Sequence, residues 1–373
     1  MFRNVLHTNA QDKRRSRGGT LSKMMCKSSG GSMYCECVSC VKLGRDSDHF
    51  IIFIIVVHSM TVQPIGYGAH SCVFDRLVDC ENPREQYEKQ LPPRIAEKVI
   101  FDGAAAKREL HIGQFLGSLP DVHVAKIVGF CSNVRSTSLG KGCDPPDGTS
   151  QSIVFENFGP DANYFIFSAP ELFDLACTLC ASLSSIAQHG FVHGDVKPGN
   201  ILVRRGPVQK LEAVLIDFGF TGTFQEYATR VRTHSWFDAI DYFPPDGVLV
   251  RSHSFPLYLH HKEERIQRQK IPPEWVTDSD RLEMICLNPL VVTDQDLAIG
   301  HDIWMFGCTL WRLWRRSVRT NVPRWLHEVL LNCFHLDPHE RSWSDINSSL
   351  HTTSSFCETI KTGKRRGRTL MPL

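Results

Sequence analysis

The sequence predicts an α+β chain whose strands gather in the first half and whose helices fill the second. Between residues 61 and 101, β-branched runs are broken by Gly, Pro and Asn, the punctuation of short strands and turns. After residue 170, apolar residues recur at helical spacing, as at Leu172, Leu175, Ala176, Leu179, Leu183 and Ile186. The chain has 373 residues, 42% of them apolar and 22% charged, enough for one large domain or two smaller ones.

In chain order, 61–101 reads as three strands and 104–118 as a helix. Val124 to Phe130 and Ser152 to Phe158 read as two further strands, separated by a Gly, Pro and Ser-rich surface loop at about 137–150. Glu171 to Gln188 is the first long helix of the second half, and Gly190 follows where helices commonly end. Ile303 to Trp314 and Arg324 to Phe334 carry Trp, Leu and Phe at the spacing of buried helices. The stretch 220–300 has no sustained period and is read as a loop with an insertion.

Forty-two Lys and Arg against 40 Asp and Glu leave a formal charge of +2, which points to neither nucleic acid nor a membrane surface as the principal partner. The positive clusters Lys13-Arg14-Arg15-Ser16-Arg17 and Lys364-Arg365-Arg366-Gly367-Arg368 lie in polar surroundings with little to bury. Residues 1–59 are therefore expected to be a largely disordered, Cys-containing extension and 351–373 a basic tail, flanking a domain over 60–350. Such clusters also serve nuclear targeting, so the expected compartment is cytoplasmic or nuclear. The apolar run Phe50 to Val57 is too short for a membrane span, which takes roughly 20 residues, and reads as a buried strand. Fourteen cysteines are many. Cys177 and Cys180 fall on a helix, no disulfide framework is evident, and Cys37 and Cys40 lack the second pair that a zinc site would need. Oligomeric state is not readable.

The chemistry concentrates in Val192-His193-Gly194-Asp195-Val196-Lys197-Pro198-Gly199-Asn200 and, 17 residues on, Asp217-Phe218-Gly219. A proton acceptor, a cation for a phosphate and two oxygen ligands for a metal stand within one short stretch, as phosphoryl transfer requires. Upstream, Gly66 and Gly68 in Ile65-Gly66-Tyr67-Gly68 let backbone approach phosphates without a side chain in the way. Ile95-Ala96-Glu97-Lys98-Val99 reads as a strand that turns Ala96 and Lys98 to one face, where a lysine needs an anionic partner. Glu109 is the one carboxylate between Gly103 and Pro120 that can orient it.

The order of these parts resembles the eukaryotic protein kinase family over about residues 60–350. That resemblance implies a bilobal fold, with a small β-rich N-lobe over about 60–158 and a larger helical C-lobe over about 159–350. ATP, with Mg2+ or Mn2+, is the implied nucleotide and metal, and protein serine and threonine hydroxyls the implied acceptors. Ile65, Gly66, Gly68 and Val73 would then cover the nucleotide, and Lys98 and Glu109 would form the strand-to-helix ion pair. Phe155-Glu156-Asn157-Phe158 would be gatekeeper and hinge, with Glu156 and Phe158 meeting adenine, and Ala96, Val73 and Leu202 would sandwich the base. Asp195 would position the substrate hydroxyl and take its proton, Lys197 would neutralise the γ-phosphate, and Asn200 and Asp217 would hold metal. His193 and Asp302 would brace the loop, and Asp337-Pro338-His339-Glu340-Arg341 is similar to the family's late arginine motif.

Three departures stand out. Gly194 replaces the arginine that reads a phosphorylated activation loop, which implies activity independent of such phosphorylation. Tyr242-Phe243-Pro244-Pro245-Asp246 and Pro272-Pro273-Glu274 compete for the end of the activation segment. The eleven-position step from Lys98 to Glu109 implies a tightly connected or truncated helix. The His-Gly-Asp loop is also similar to kinases of aminoglycosides and choline, and a pseudokinase is the non-enzymatic alternative. The divergent loop and long insertion resemble kinases of large DNA viruses.

Overall fold

The computed structural model describes residues 21–29, 32–40, 64–68, 71–135, 139, 143, 150–206, 210–235, 242–317 and 321–352. The apolar run at 50–57, both basic clusters and most of the 137–150 loop lie outside them. The chain forms two compact units, 1–61 and 62–373. In the first, β1 (Leu21–Ser29) and β2 (Ser32–Cys40) pair antiparallel, with Cys26 opposite Cys35.

The second unit is mixed, with a β-rich sheet at its N-terminal side and a larger helical part after it, consistent with a kinase-like fold. The sheet contains β3 (Gly66–Gly68), β4 (Ser71–Phe74), β5 (Glu85–Gln86), β6 (Ile95–Ile100), β7 (Ile127–Cys131) and β8 (Gln151–Glu156). Its strand order is β3-β4-β6-β8-β7-β5. Alternation along β6 decides what each face does. Ala96 and Lys98 share one face, while Glu97 and Val99 are buried on the other. A buried carboxylate is costly unless fully bonded. Glu97 accepts from Arg84, from Ser152 Oγ and from the Val78 amide at 2.7 Å.

Helix α1 (Gly103–Gly117) starts two residues after β6, capped by Asp102, whose side chain accepts from the Ala104 amide at 2.8 Å. It packs Ala106 and Leu110 with Ile100, Phe130, Ile153 and Phe155. It is a full four-turn helix, so the short Lys98–Glu109 gap reflects a tight connection and not a truncation.

A separate apolar cluster, Cys72, Phe74, Val78, Val99, Cys131, Val134, Leu139 and Cys143, contains two disulfides, Cys72–Cys143 and Cys80–Cys131. The expectation that the chain lacks a disulfide framework is overturned. The partners stand 71 and 51 residues apart, so strand pairing, and no local spacing, brings them together.

The helical part is built on α2 (Ala169–Gln188) and α7 (Asp294–Ser317). Ser168 and Glu171 form a reciprocal capping box that starts α2. α7 is buried almost all round from Leu297 to Leu310, as suits a helix at the centre of a lobe. Between them lie β9 (Phe191–Val192), β10 (Ile201–Arg205), β11 (Leu211–Leu215) and β12 (Gly222–Thr223). The uninterpreted stretch folds into α3 (Phe224–Thr233), α4 (Asp246–Arg251), α5 (Phe255–Gln269) and α6 (Leu282–Leu287). α8 (Arg324–Cys333) and a helix over 343–352 complete the lobe. Of the two competing segment ends, Asp246 is the one that forms a buried two-bonded pair with Arg341, at 2.6 and 2.9 Å. Glu274 is exposed.

Candidate active site

Lys98 reaches across the gap between the sheet and the helical lobe. Its Nζ donates to both Glu109 oxygens and to Asp217 Oδ1, each at 2.8 Å. Burial works to lower the Lys98 pKa, but Glu109 and Asp217 outweigh it and hold the ammonium above its ordinary value. Burial also raises Glu109, whereas Asp217, despite its own burial, is lowered by Lys98. Glu109, expected on elimination alone, thus meets the lysine directly.

The loop between β9 and β10 brings the remaining polar groups together. Lys197 Nζ donates to Asp195 Oδ2 at 2.6 Å, and Asn200 Nδ2 donates to the same oxygen at 2.8 Å and to the Asp195 carbonyl at 2.9 Å. Because the Asn200 amide nitrogen is committed to Asp195, its Oδ1 is the atom left to accept or ligate. Asp217 sits at φ 68°, a left-handed conformation costly for a side-chain-bearing residue and found where function over-determines the backbone.

The loop is held from beneath. Buried Asp302 on α7 accepts from the His193 amide at 2.7 Å and the Gly194 amide at 2.8 Å. Burial pushes its carboxyl up to about 7, against the pull of those two amides. His193 is lowered by complete burial, so its ring is neutral, and its Nε2 meets the Ile216 carbonyl at 3.2 Å. Its ring lies edge-on to Phe218, centroids 5.8 Å apart. Phe218 is fully buried and presses on α1 at Gly113, where an added Cβ would stand 2.6 Å from Ile127 Cδ1 and 3.2 Å from Phe218. Gly113 therefore sets how closely the helix that carries Glu109 approaches the Asp217 turn.

Gly194 has φ +78°, and a Cβ there would meet the Tyr227 ring at 2.6 Å. Tyr227, buried on α3, fills that space, and its hydroxyl lies 3.4 Å from the Gly194 carbonyl. Thr221 Oγ1 donates to the His193 carbonyl at 3.0 Å. α3 carries its own capping box, Thr223 with Glu226, and Arg108 of α1 bonds Glu226 at 3.2 Å. The segment after Asp217 is thus tied to the loop between β9 and β10 and to α1 by uncharged and ionic contacts that need no phosphate.

The rest of the residues the resemblance places around a nucleotide fall as follows. Gly66 and Gly68 lie on β3, with Val73 opposite Gly66 and Lys98 next across the sheet from Val73; the hairpin tip at 69–70 lies outside the described residues. Ile65 is 61% exposed. Ala96 pairs with Phe155, and Phe158 and Leu202 pack half-buried against the Phe155 cluster. Glu156 turns its side chain to Arg204 at 3.5 Å, and its amide donates to the Lys126 carbonyl at 2.9 Å. Sequence reasoning missed Gly113 and Tyr227, which act through packing, and Thr221, which bonds the His193 carbonyl; none carries a motif signal.

The profile of the ABC1 atypical kinase-like domain matches residues 170–242, the stretch that holds Asp195, Asn200 and Asp217. The chain is 33% identical over 67 residues to the dual specificity protein kinase Ttk of Danio rerio, covering 18% of this chain and 6% of that protein. It is 38% identical over 69 residues to AarF domain-containing kinase 1 of Drosophila melanogaster, covering 18% of this chain and 13% of that protein. The chain thus spans only a small part of the length of these relatives. Fold and comparisons together support a protein-kinase-like protein, without assigning it to the serine/threonine class. Among the described residues no helix is long and apolar enough to cross a membrane.

Proposed function

We propose that the protein transfers the γ-phosphate of ATP to serine or threonine hydroxyls of protein substrates. What carries the reading is the Lys98 ammonium, shared between Glu109 and Asp217 at 2.8 Å, which links the sheet lobe to the segment that follows the catalytic loop. In this reading Lys98 orients the α- and β-phosphates. Asp195 accepts the substrate hydroxyl proton at its carboxylate, and Lys197 then moves from Asp195 to the γ-phosphate. Asn200 Oδ1 and the Asp217 carboxylate are hard oxygen donors suited to Mg2+ or Mn2+, and two protein ligands fit a metal that fills its shell with phosphate and water. Such a metal would neutralise charge on the β- and γ-phosphates. Gly194 and the preformed α3 support activity without activation-segment phosphorylation.

A second reading, a kinase of small molecules, is favoured by the His-Gly-Asp loop. Both are separated by one assay: labelled ATP and magnesium with generic protein substrates, an aminoglycoside and choline, alongside Asp195→Ala. Protein labelling lost in the variant supports the first reading, small-molecule labelling alone the second. No transfer together with retained ATP binding makes the protein a pseudokinase. The two disulfides fit an oxidising compartment and argue against the cytoplasm or nucleus expected from the basic clusters.

A further inference from the structure

An open cavity of about 300 Å3 lies where α5 and α7 end together, lined by Arg268, Gln269, Lys270, Arg312, Arg315 and Arg316. The corner is fixed. Lys270 closes α5 in a left-handed conformation at φ 54°, and its carbonyl accepts the Trp311 indole N–H at 2.9 Å. Arg312 bonds the Tyr242 hydroxyl and lies over that ring, while Arg315 lies over Trp311. Arg268 pairs with Glu264 one turn back. Among the described residues no carboxylate pairs with Lys270, Arg312, Arg315 or Arg316. Helix C-termini favour a cation apiece. Beyond the Arg268–Glu264 pair, four cations on two helix ends exceed that demand, and a bound anion would relieve their mutual repulsion.

The pocket adjoins the catalytic loop. Arg316 Nη1 donates to Asn163 Oδ1 at 3.4 Å, and Asn163 Nδ2 in turn lies 3.5 Å from where a Cβ on Gly199 would stand, one residue before Asn200. We infer that this pocket binds acidic side chains of the substrate polypeptide, so that hydroxyls flanked by Asp and Glu are selected. The inference rests on the protein kinase reading above and adds the substrate class to it. Carboxylates on a peptide match separate, solvent-exposed guanidinium groups, and each pair is screened by salt.

The test uses the full chain and fluorescein-labelled serine peptides of equal length flanked by Asp/Glu, by Gly/Ala or by Lys. Anisotropy gives affinity, and labelled ATP gives transfer. The acidic peptide is expected to bind about tenfold more tightly than the neutral one, with Arg315→Gln/Arg316→Gln erasing most of that ratio and Arg315→Glu/Arg316→Glu turning the preference toward the Lys-flanked peptide. The ratio of kcat/KM for acidic over neutral peptide should fall in step. Both side chains removed or reversed are solvent-facing arginines, and thermal melts identify any variant that fails to fold. Equal affinity for acidic and neutral peptides, an unchanged ratio in the folded variants, or binding of a single-stranded RNA in place of the acidic peptide each overturns the inference. Binding that depends on Arg315 and Arg316 with no transfer to any peptide overturns the kinase reading, and with it the substrate role, while leaving an acidic-peptide docking pocket.

Discussion

Lys98 stays charged in a place where burial alone would favour its neutral form, because two carboxylates sit at bonding distance. Replacing it by Met removes the cation and leaves Glu109 and Asp217 facing each other. Phosphate transfer is expected to fall by roughly 100- to 1000-fold, the scale of losing one electrostatic contact made in the transition state. Labelled-ATP transfer measures it. Asp302 has the opposite electrostatics: burial pushes its carboxyl up to about 7 while two loop amides need its charge. Since its native pKa lies above the unfolded value, the native state holds a proton between about 4 and 7 that the unfolded chain has lost. Its contribution to stability is therefore greatest at low pH and declines as pH rises through 7. Activity should run the other way, because ionised Asp302 accepts from both amides and fixes the loop. Transfer is expected to rise with pH through about 7 in the natural protein. Asp302→Asn, with one acceptor oxygen, should lower the plateau and flatten that limb; a limb unchanged in the variant would sink this assignment.

At the scale of elements, α3 and the disulfide-bearing cluster behind β4 and β7 are what the sequence least announced. α3 is held by a capping box and by Arg108, with Tyr227 set into the space that Gly194 leaves. Phosphatase treatment should therefore leave transfer unchanged, whereas Thr223→Ala should cost about 1 kcal/mol of helix stability and lower the rate. The bridge from Cys72 to Cys143 closes a separation of 71 residues, and replacing both by Ser is expected to cost about 2–4 kcal/mol in denaturant unfolding under oxidising conditions. An unfolding midpoint that does not respond to the double substitution would mean that the bridge is not formed in solution. What made the core elements legible was local periodicity. The stripe from Leu172 to Ile186 lies within α2, and the strand bearing Lys98 matches β6. The loop between β9 and β10 was readable because Asp195, Lys197 and Asn200 sit within six consecutive residues, so their convergence is dictated by chain geometry. Glu109 could be chosen only because α1 offers no other carboxylate. α4 and α6 were illegible because each is only six residues long, and α5 because it buries only Tyr258, Arg265 and Ile266, too few for an apolar stripe. Gly113 and Tyr227 were illegible because a missing Cβ and a filled space leave no trace in one chain's pattern.

Across the whole domain, the groups of the candidate site belong to two bodies of structure: Lys98 and Glu109 to the sheet and α1, Asp195, Asn200 and Asp217 to the helical lobe. The Lys98–Asp217 contact is a polar bridge between them at the site, beside the bond from the Phe218 backbone to Glu109. A metal nucleotide would lie where that bridge runs, exchanging one direct ion pair for contacts from both lobes at once. Anything that binds the folded chain alone stabilises it by mass action, by about 2.7 kcal/mol when its concentration is one hundred times its Kd. Magnesium and ATP together are accordingly expected to raise the melting temperature by several degrees, and ATP with a chelator to do so far less. Lys98→Met and Asp217→Asn should each suppress the shift, while Arg315→Gln, remote from the nucleotide, should keep it. A shift equally large in Lys98→Met and Asp217→Asn would place the nucleotide elsewhere on the molecule, and with it would fall every role assigned to the residues around Lys98.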